Sequence, residues 1–100
     1  MDAELYAFDR YVIDALMRDL VGHDRRPAAY LVYLTLWAAS SGSSALLSLA
    51  QLADRTGLSK RSVQGAIRHL CGRGLLAVVR SGPTETPRYQ PLQPWRRTGR

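Results

Sequence analysis

The chain of 100 residues has a single cysteine, Cys71. One thiol excludes an intrachain disulfide and a cysteine-held zinc, and it fits a reducing compartment. Histidine is almost as scarce. His23 and His69 stand far apart, neither with a carboxylate or nucleophile at a spacing that suggests catalysis. No glycine-rich phosphate loop is present, and no metal-ligand spacing. These gaps argue against an enzyme and against a metal or other cofactor. The longest mostly apolar run, residues 28–39, is 12 residues, too short to span a bilayer. The opening "MDAELYAFDRY" is acidic and polar, unlike a secretory signal. A cytoplasmic protein is the expectation.

Acidic residues are also missing where they would be most informative. Residues 1–50 carry 4 basic and 6 acidic side chains, a net of −2, whereas residues 51–100 carry 10 basic and only 2 acidic, a net of +8. A near-neutral half followed by a strongly basic one points to a polyanion-binding face on the second. The alternative is a basic surface kept for solubility. With 46% apolar residues, the chain has material for one modest core and one domain.

Periodicity predicts a first helix from about Ala3 to Val21. Leu5, Phe8, Val12, Leu16 and Leu20 form one apolar stripe, which Ile13, Met17 and Val21 widen. Gly22 would cap it, and Pro27 would open a second helix running to about Ala39. "AAYLVYLTLWAA" is apolar on every side, so this helix is expected to be buried all round. "SSGSS" is a flexible connection, and "ALL" (Ala45–Leu47) a short strand. Ser48 with Gln51 three residues later is a capping box for a third helix. That helix ends near Thr56, where Gly57 supplies the left-handed conformation of a tight turn. Ser59 caps a fourth helix from Lys60 to about Cys71. "LLAVVR" (Leu75–Arg80) then reads as a strand, "SGPTETP" as a turn, and "RYQPL" (Arg88–Leu92) as a returning strand that Pro91 would confine to a sheet edge. The basic remainder, residues 93–100, is expected to fray.

The fourth helix contains two local conflicts. Lys60 and Arg61 sit in its first turn, where the helix dipole disfavours cations. Gly65 lies mid-helix, at a cost of about 1 kcal/mol relative to alanine. At 100° per residue, Val63, Ala66, Ile67 and Leu70 face the core. Arg61, Gly65 and Arg68 lie opposite, with Gln64 on one flank and Ser62 and His69 on the other. Arginine pairs bidentately with guanine and glutamine with adenine, and a missing side chain at Gly65 admits a groove wall. Lys60, Ser59 and Ser62 are placed for phosphates. Arg80 and Arg88 flank the hairpin turn as a possible backbone or minor-groove clamp. Solvated arginines and a tolerated glycine are the alternative reading. Cys71 is expected to be partly buried, and Trp95 to be a lid on the core.

The stretch "SLAQLADRTGLSKRSVQGAIRHLCGRGLLAVVRSG" resembles the winged helix-turn-helix DNA-binding domains. The resemblance rests on Ala53, Gly57, Leu58, Val63, Ala66 and the "GLL" leading into the hairpin. "FDRYVIDALMRDL" and "YLVYLTLW" are similar to bacterial and phage replication-initiator winged helices. The resemblance implies a mainly α fold with a β-hairpin wing, one domain over residues 1–92 and a basic tail over 93–100. It implies a fourth helix in the major groove of double-stranded DNA, with the wing on the adjacent backbone. A bacterial or phage transcription regulator on the nucleoid is the first expectation, a replication initiator the second. A winged-helix protein-interaction module is the third, although such a module needs no cationic outward face. A homodimer through the first helix is left open, since two half-sites on one duplex would suit a pair.

Overall fold

The computed structural model describes residues 4–40, 43–80 and 82–96. Ala3, part of the serine connection, Ser81, and Arg97 and Arg100 of the tail lie outside the described residues. An N-terminal helix leads into α1 (Pro27–Ser40), β1 (Ala45–Leu46), α2 (Leu49–Thr56), α3 (Lys60–Gly72), β2 (Leu76–Val79) and β3 (Arg88–Pro91). The fold is mainly helical with a small antiparallel sheet, as expected for a winged helix-turn-helix.

The N-terminal helix begins at Arg10, later than the pattern suggested, and Leu5 is 88% exposed instead of joining the stripe. Its turns are wide: Val12–Leu16 and Arg18–His23 are π-helical. The buried residues recur every four positions, as Val12, Leu16 and Leu20. Four-residue spacing drifts about 40° per step around a 3.6-residue turn. The wider π turn cancels that drift and keeps one row on the core. At the start of these turns the Val12 carbonyl accepts from the Met17 N–H and from the Tyr30 hydroxyl at 2.7 Å. A side chain that claims a helix carbonyl perturbs the regular ladder.

Gly22 does not cap this helix; it lies within the second π run. The chain turns at Arg25, whose φ of 56° is left-handed. The conformation is held by the Arg26 N–H on the Leu20 carbonyl at 2.7 Å and by neighbouring Asp24, described below.

α1 is the central helix, with Ala29, Val32, Tyr33 and Leu36 fully or almost fully enclosed. It is not covered on every side, however: Leu31 is 43% exposed. Uniform apolarity therefore overstated its burial.

α2 and α3 form as their caps dictate. Ser48 and Gln51 make the reciprocal capping box, and Gly57 closes α2 with φ 79°. The Ser59 side chain accepts from the Ser62 N–H and caps α3. Leu52, Val63, Ala66 and Leu70 enter the core between α1 and the sheet.

The sheet order is β1-β3-β2, all antiparallel. β3 is therefore the middle strand, not the edge that Pro91 suggested. The proline is tolerated because β1 is two residues long and pairs only with Arg88 and Tyr89. The next amide, Leu92, donates to the Leu75 carbonyl at 2.8 Å. Alternation thus turns the Pro91 nitrogen to the side that β1 does not reach.

Part of the expected tail is docked. Trp95 lies between Tyr11 (4.6 Å between ring centroids) and Trp37 (6.3 Å), and its Nε1 donates to Asp9 at 2.9 Å. Arg96 forms an ion pair with Asp9 and lies over the Trp37 ring. These charged hydrogen bonds, Arg96 first, hold the Asp9 carboxyl below the usual carboxylate range against the effect of burial.

Candidate nucleic-acid interface

α3 divides its circumference into four sides. Val63, Ala66 and Leu70 are buried, and Ile67 half-buried. The opposite ridge carries Arg61, Gly65, Arg68 and Gly72, at spacings of four, three and four. A Cβ added at Gly65 or Gly72 would meet nothing within 4 Å. Neither glycine is required by internal packing, so the ridge alternates cation and gap purely toward solvent.

One flank of α3 faces the hairpin across a cleft of about 530 Å³. Lys60, Gln64 and Arg68 line it from α3, and Arg80 lines it from the end of β2. Its floor includes Ile67, Val78 and Tyr89, and among the described residues no acidic side chain lines it. Burial raises the Tyr89 hydroxyl pKa, so this ring is a neutral part of the wall.

Arg80 and Arg88 do not form a clamp. Val79 pairs with Arg88 and Val78 with Tyr89. Successive side chains alternate faces, so Val78, Arg80 and Tyr89 share the cleft side while Val79 and Arg88 share the other. Arg88 instead donates to the Ser44 hydroxyl at 3.3 Å, and Leu46, its partner on β1, is exposed on the same face. Glu85 is exposed in the hairpin turn. The two serines also differ from their expected use. Ser59 is occupied as a cap and donates to the Ser62 hydroxyl at 3.1 Å. Ser62 retains its own O–H for an acceptor.

The other flank of α3 is tied down by Asp24, a residue the pattern did not single out. Its side chain, 6% exposed, receives His23 at 2.8 Å, His69 at 2.7 Å and Arg73. Arg73 also reaches Asp19 at 3.7 Å. Hydrogen bonds from His23 and then His69, with Arg73 behind them, lower the Asp24 pKa to about 2 despite burial. The carboxylate anchors the C-terminal end of α3 to the loop before α1. His69 is thus committed to a protein contact, away from the cleft. Asp24 directly follows His23, but nothing local announced that His69, 45 residues on, would complete the cluster. Cys71, expected to be partly buried, is exposed. Among the described residues no group of three or more His, Cys, Asp or Glu is placed to hold a metal ion. No helix there is long and apolar enough to cross a membrane.

Two helices joined by a capped glycine turn, a hairpin beside the second helix and a cationic ridge on that helix define a winged helix-turn-helix domain. Residues 26–76 match the family model described as a helix-turn-helix domain. The chain belongs to that DNA-binding family. No curated protein matches it.

Proposed function

We propose that this domain binds double-stranded DNA sequence-specifically, with α3 in the major groove. Arg61 and Arg68 meet guanine edges, Gln64 meets adenine, and Gly65 lets the groove wall approach the helix backbone. The sugar–phosphate strand bounding the groove runs through the cleft, with Lys60 and Arg80 on its phosphates. Ser62 donates to a phosphate from the opposite flank, and Ser59 adds a contact only through its cap position. Arg88, on the far face of the hairpin, contributes long-range attraction rather than a clamp. A phosphate near the start of α3 also offsets the dipole conflict of Lys60 and Arg61. The biological role we assign is a transcription regulator acting on the nucleoid in the cytoplasm.

The observation that carries this proposal is the exposed arc of α3. It offers three cations, a glutamine and two gaps that internal packing does not need, and no described carboxylate lines its cleft. The test is titration of labelled duplex at several salt concentrations. Binding should weaken linearly in log salt, with a slope near −2 if Lys60 and Arg80 neutralise about two phosphates. A flat dependence, or no binding at low salt, overturns the proposal. Selection from a random duplex library then identifies the site.

A further inference from the structure

The N-terminal helix presents four rows of side chains, and among the described residues one apolar row stays exposed. Val12, Leu16 and Leu20 enter the core. The row one residue earlier turns toward α3 and the C-terminal segment, where Tyr11 stacks on Trp95 and Asp19 reaches Arg73. The row one residue later is Ile13, Met17 and Val21, and it faces the other way. These side chains are 52%, 38% and 39% exposed.

α1 continues the same surface. The N-terminal helix and the segment before it sit on its Tyr30 and Trp37 side, which donates hydrogen bonds to the Val12 carbonyl in the helix and the Ala7 carbonyl before it. Leu34, Ala38 and exposed Leu31 follow around the circumference from that side, away from buried Val32 and Leu36. Two helices thus share an uncharged apolar face of four exposed residues, Ile13, Met17, Val21 and Leu31, edged by half-buried Leu34 and Ala38. Contiguous apolar surface of this kind marks an interaction site.

We propose that this face is the contact with a second copy of the chain, formed about a two-fold axis. A two-fold contact sets the same patch against itself, which an uncharged centre permits without desolvating ions. The outer edge supplies the complementarity. Arg10, Asp14 and Arg18 follow at four-residue spacing, positive, negative, positive. Arg10 pairs with Asp14 at 3.5 Å with both side chains largely exposed, and Arg18 donates to the Asp14 carbonyl at 3.3 Å. Antiparallel copies offset by one turn bring Asp14 of each against an arginine of the other, so opposite charges meet.

The placement has a consequence for DNA. The row one residue earlier is the one tied to α3 through Asp19 and Arg73, so the apolar row turns away from α3. Two copies joined there direct their α3 helices outward in opposite directions. The dimer therefore holds two duplex segments together instead of two neighbouring half-sites on one duplex. This consequence rests on the proposed DNA binding; the dimer itself does not.

Sedimentation of the protein without DNA tests the dimer. Wild type should sediment at twice the chain mass. Met17→Asp and Leu31→Asp place a charge in the contact twice over, once per copy, and should raise the dimer dissociation constant on the order of 100-fold or more. Asp14→Arg, on the exposed edge, should weaken it more modestly through like-charge repulsion, and it also removes the helix's own Arg10–Asp14 pair. Thermal melts report whether each variant is folded. A monomer up to about 100 µM, a concentration at which even weak association registers, overturns the proposal. So does a folded Met17→Asp that dimerises like wild type. A bead-bound duplex should capture a second, labelled duplex through wild type but not through Leu31→Asp. Capture by a dimeric protein that binds single duplexes normally is expected; its absence overturns the bridging geometry. Loss of all DNA binding with the dimer intact counts against the DNA proposal alone.

Discussion

Replacing Gly65 by alanine should make the domain more stable, and replacing it by leucine should spoil its grip on DNA. The two results together test whether the gap in α3 is kept for an outside partner. Glycine in a helix interior costs roughly 0.5–1 kcal/mol relative to alanine, through lost backbone entropy. A methyl at this position meets no atom within 4 Å, so no steric penalty opposes the gain. For a domain of this size each kcal/mol shifts the melting temperature by about 4–8 °C. Gly65→Ala should therefore melt about 2–8 °C higher, as followed by circular dichroism. Gly65→Leu, whose Cβ meets nothing within 4 Å, projects from the ridge between Arg61 and Arg68. It should hold the helix off the groove and weaken binding to a selected site by about tenfold or more, since one displaced bidentate contact is worth about 1–3 kcal/mol. Nonspecific binding at low salt should change less, because phosphate attraction tolerates distance better. A Gly65→Ala protein that melts lower would refute the packing premise. A Gly65→Leu protein that binds its site as wild type does would refute close approach.

Three other outcomes follow from the geometry. Arg80→Ala should reduce the slope of log affinity against log salt by about 1, and Arg88→Ala by less, because only Arg80 lines the cleft; the reverse ranking in the same titration would show that the strand passes over the other face. Asp24 is held at about 2 against an ordinary 3.8, so its stabilisation is complete above the unfolded value and is lost as pH falls from about 4 toward 2; urea unfolding of Asp24→Asn should show a shallower decline across that window and lower stability at neutral pH, and an unchanged slope would remove Asp24 as the cause. Trp95→Ala should cost about 2 kcal/mol, roughly half the value for a fully buried tryptophan, and a change in the urea midpoint equivalent to less than about 0.5 kcal/mol, the size of an ordinary surface substitution, would mean that the stack on Tyr11 and Trp37 carries no load.

Features decided within a few residues of one another could be read from the chain. The Ser48–Gln51 box, the left-handed Gly57, the Ser59 cap and the core row Val63, Ala66 and Leu70 all depend on near neighbours, and all stand as the pattern suggested. What escaped depends on residues far apart. The Tyr30 hydroxyl that takes the Val12 carbonyl at the start of the π turns lies 18 positions away. The cluster at Asp24 needs Arg73, 49 positions away. The face on which Arg88 lies is set by strand register, which the hairpin sequence leaves open because its turn is long. Leu31 was expected to be buried, since an all-apolar helix carries no mark of the side that its own fold leaves bare. For the candidate interface, residue types and helix face were accessible from the sequence, but the division between cleft, ridge and outer sheet face was not.

The clasp of Asp9 with Trp95 and Arg96 closes a loop of almost the whole chain, spanning 87 positions. Closure entropy grows only slowly with length, by about 0.6 kcal/mol per doubling, so even this distant pairing is affordable once the helices are assembled. In mechanical terms the clasp is the first element in series between the two ends. Tension applied there would peel Trp95 from Tyr11 before it reached α1, and would reach α3 last, since α3 is anchored through Asp24 and the core. Anything attached at either end could thus tug on the domain without disturbing the helix proposed to read DNA.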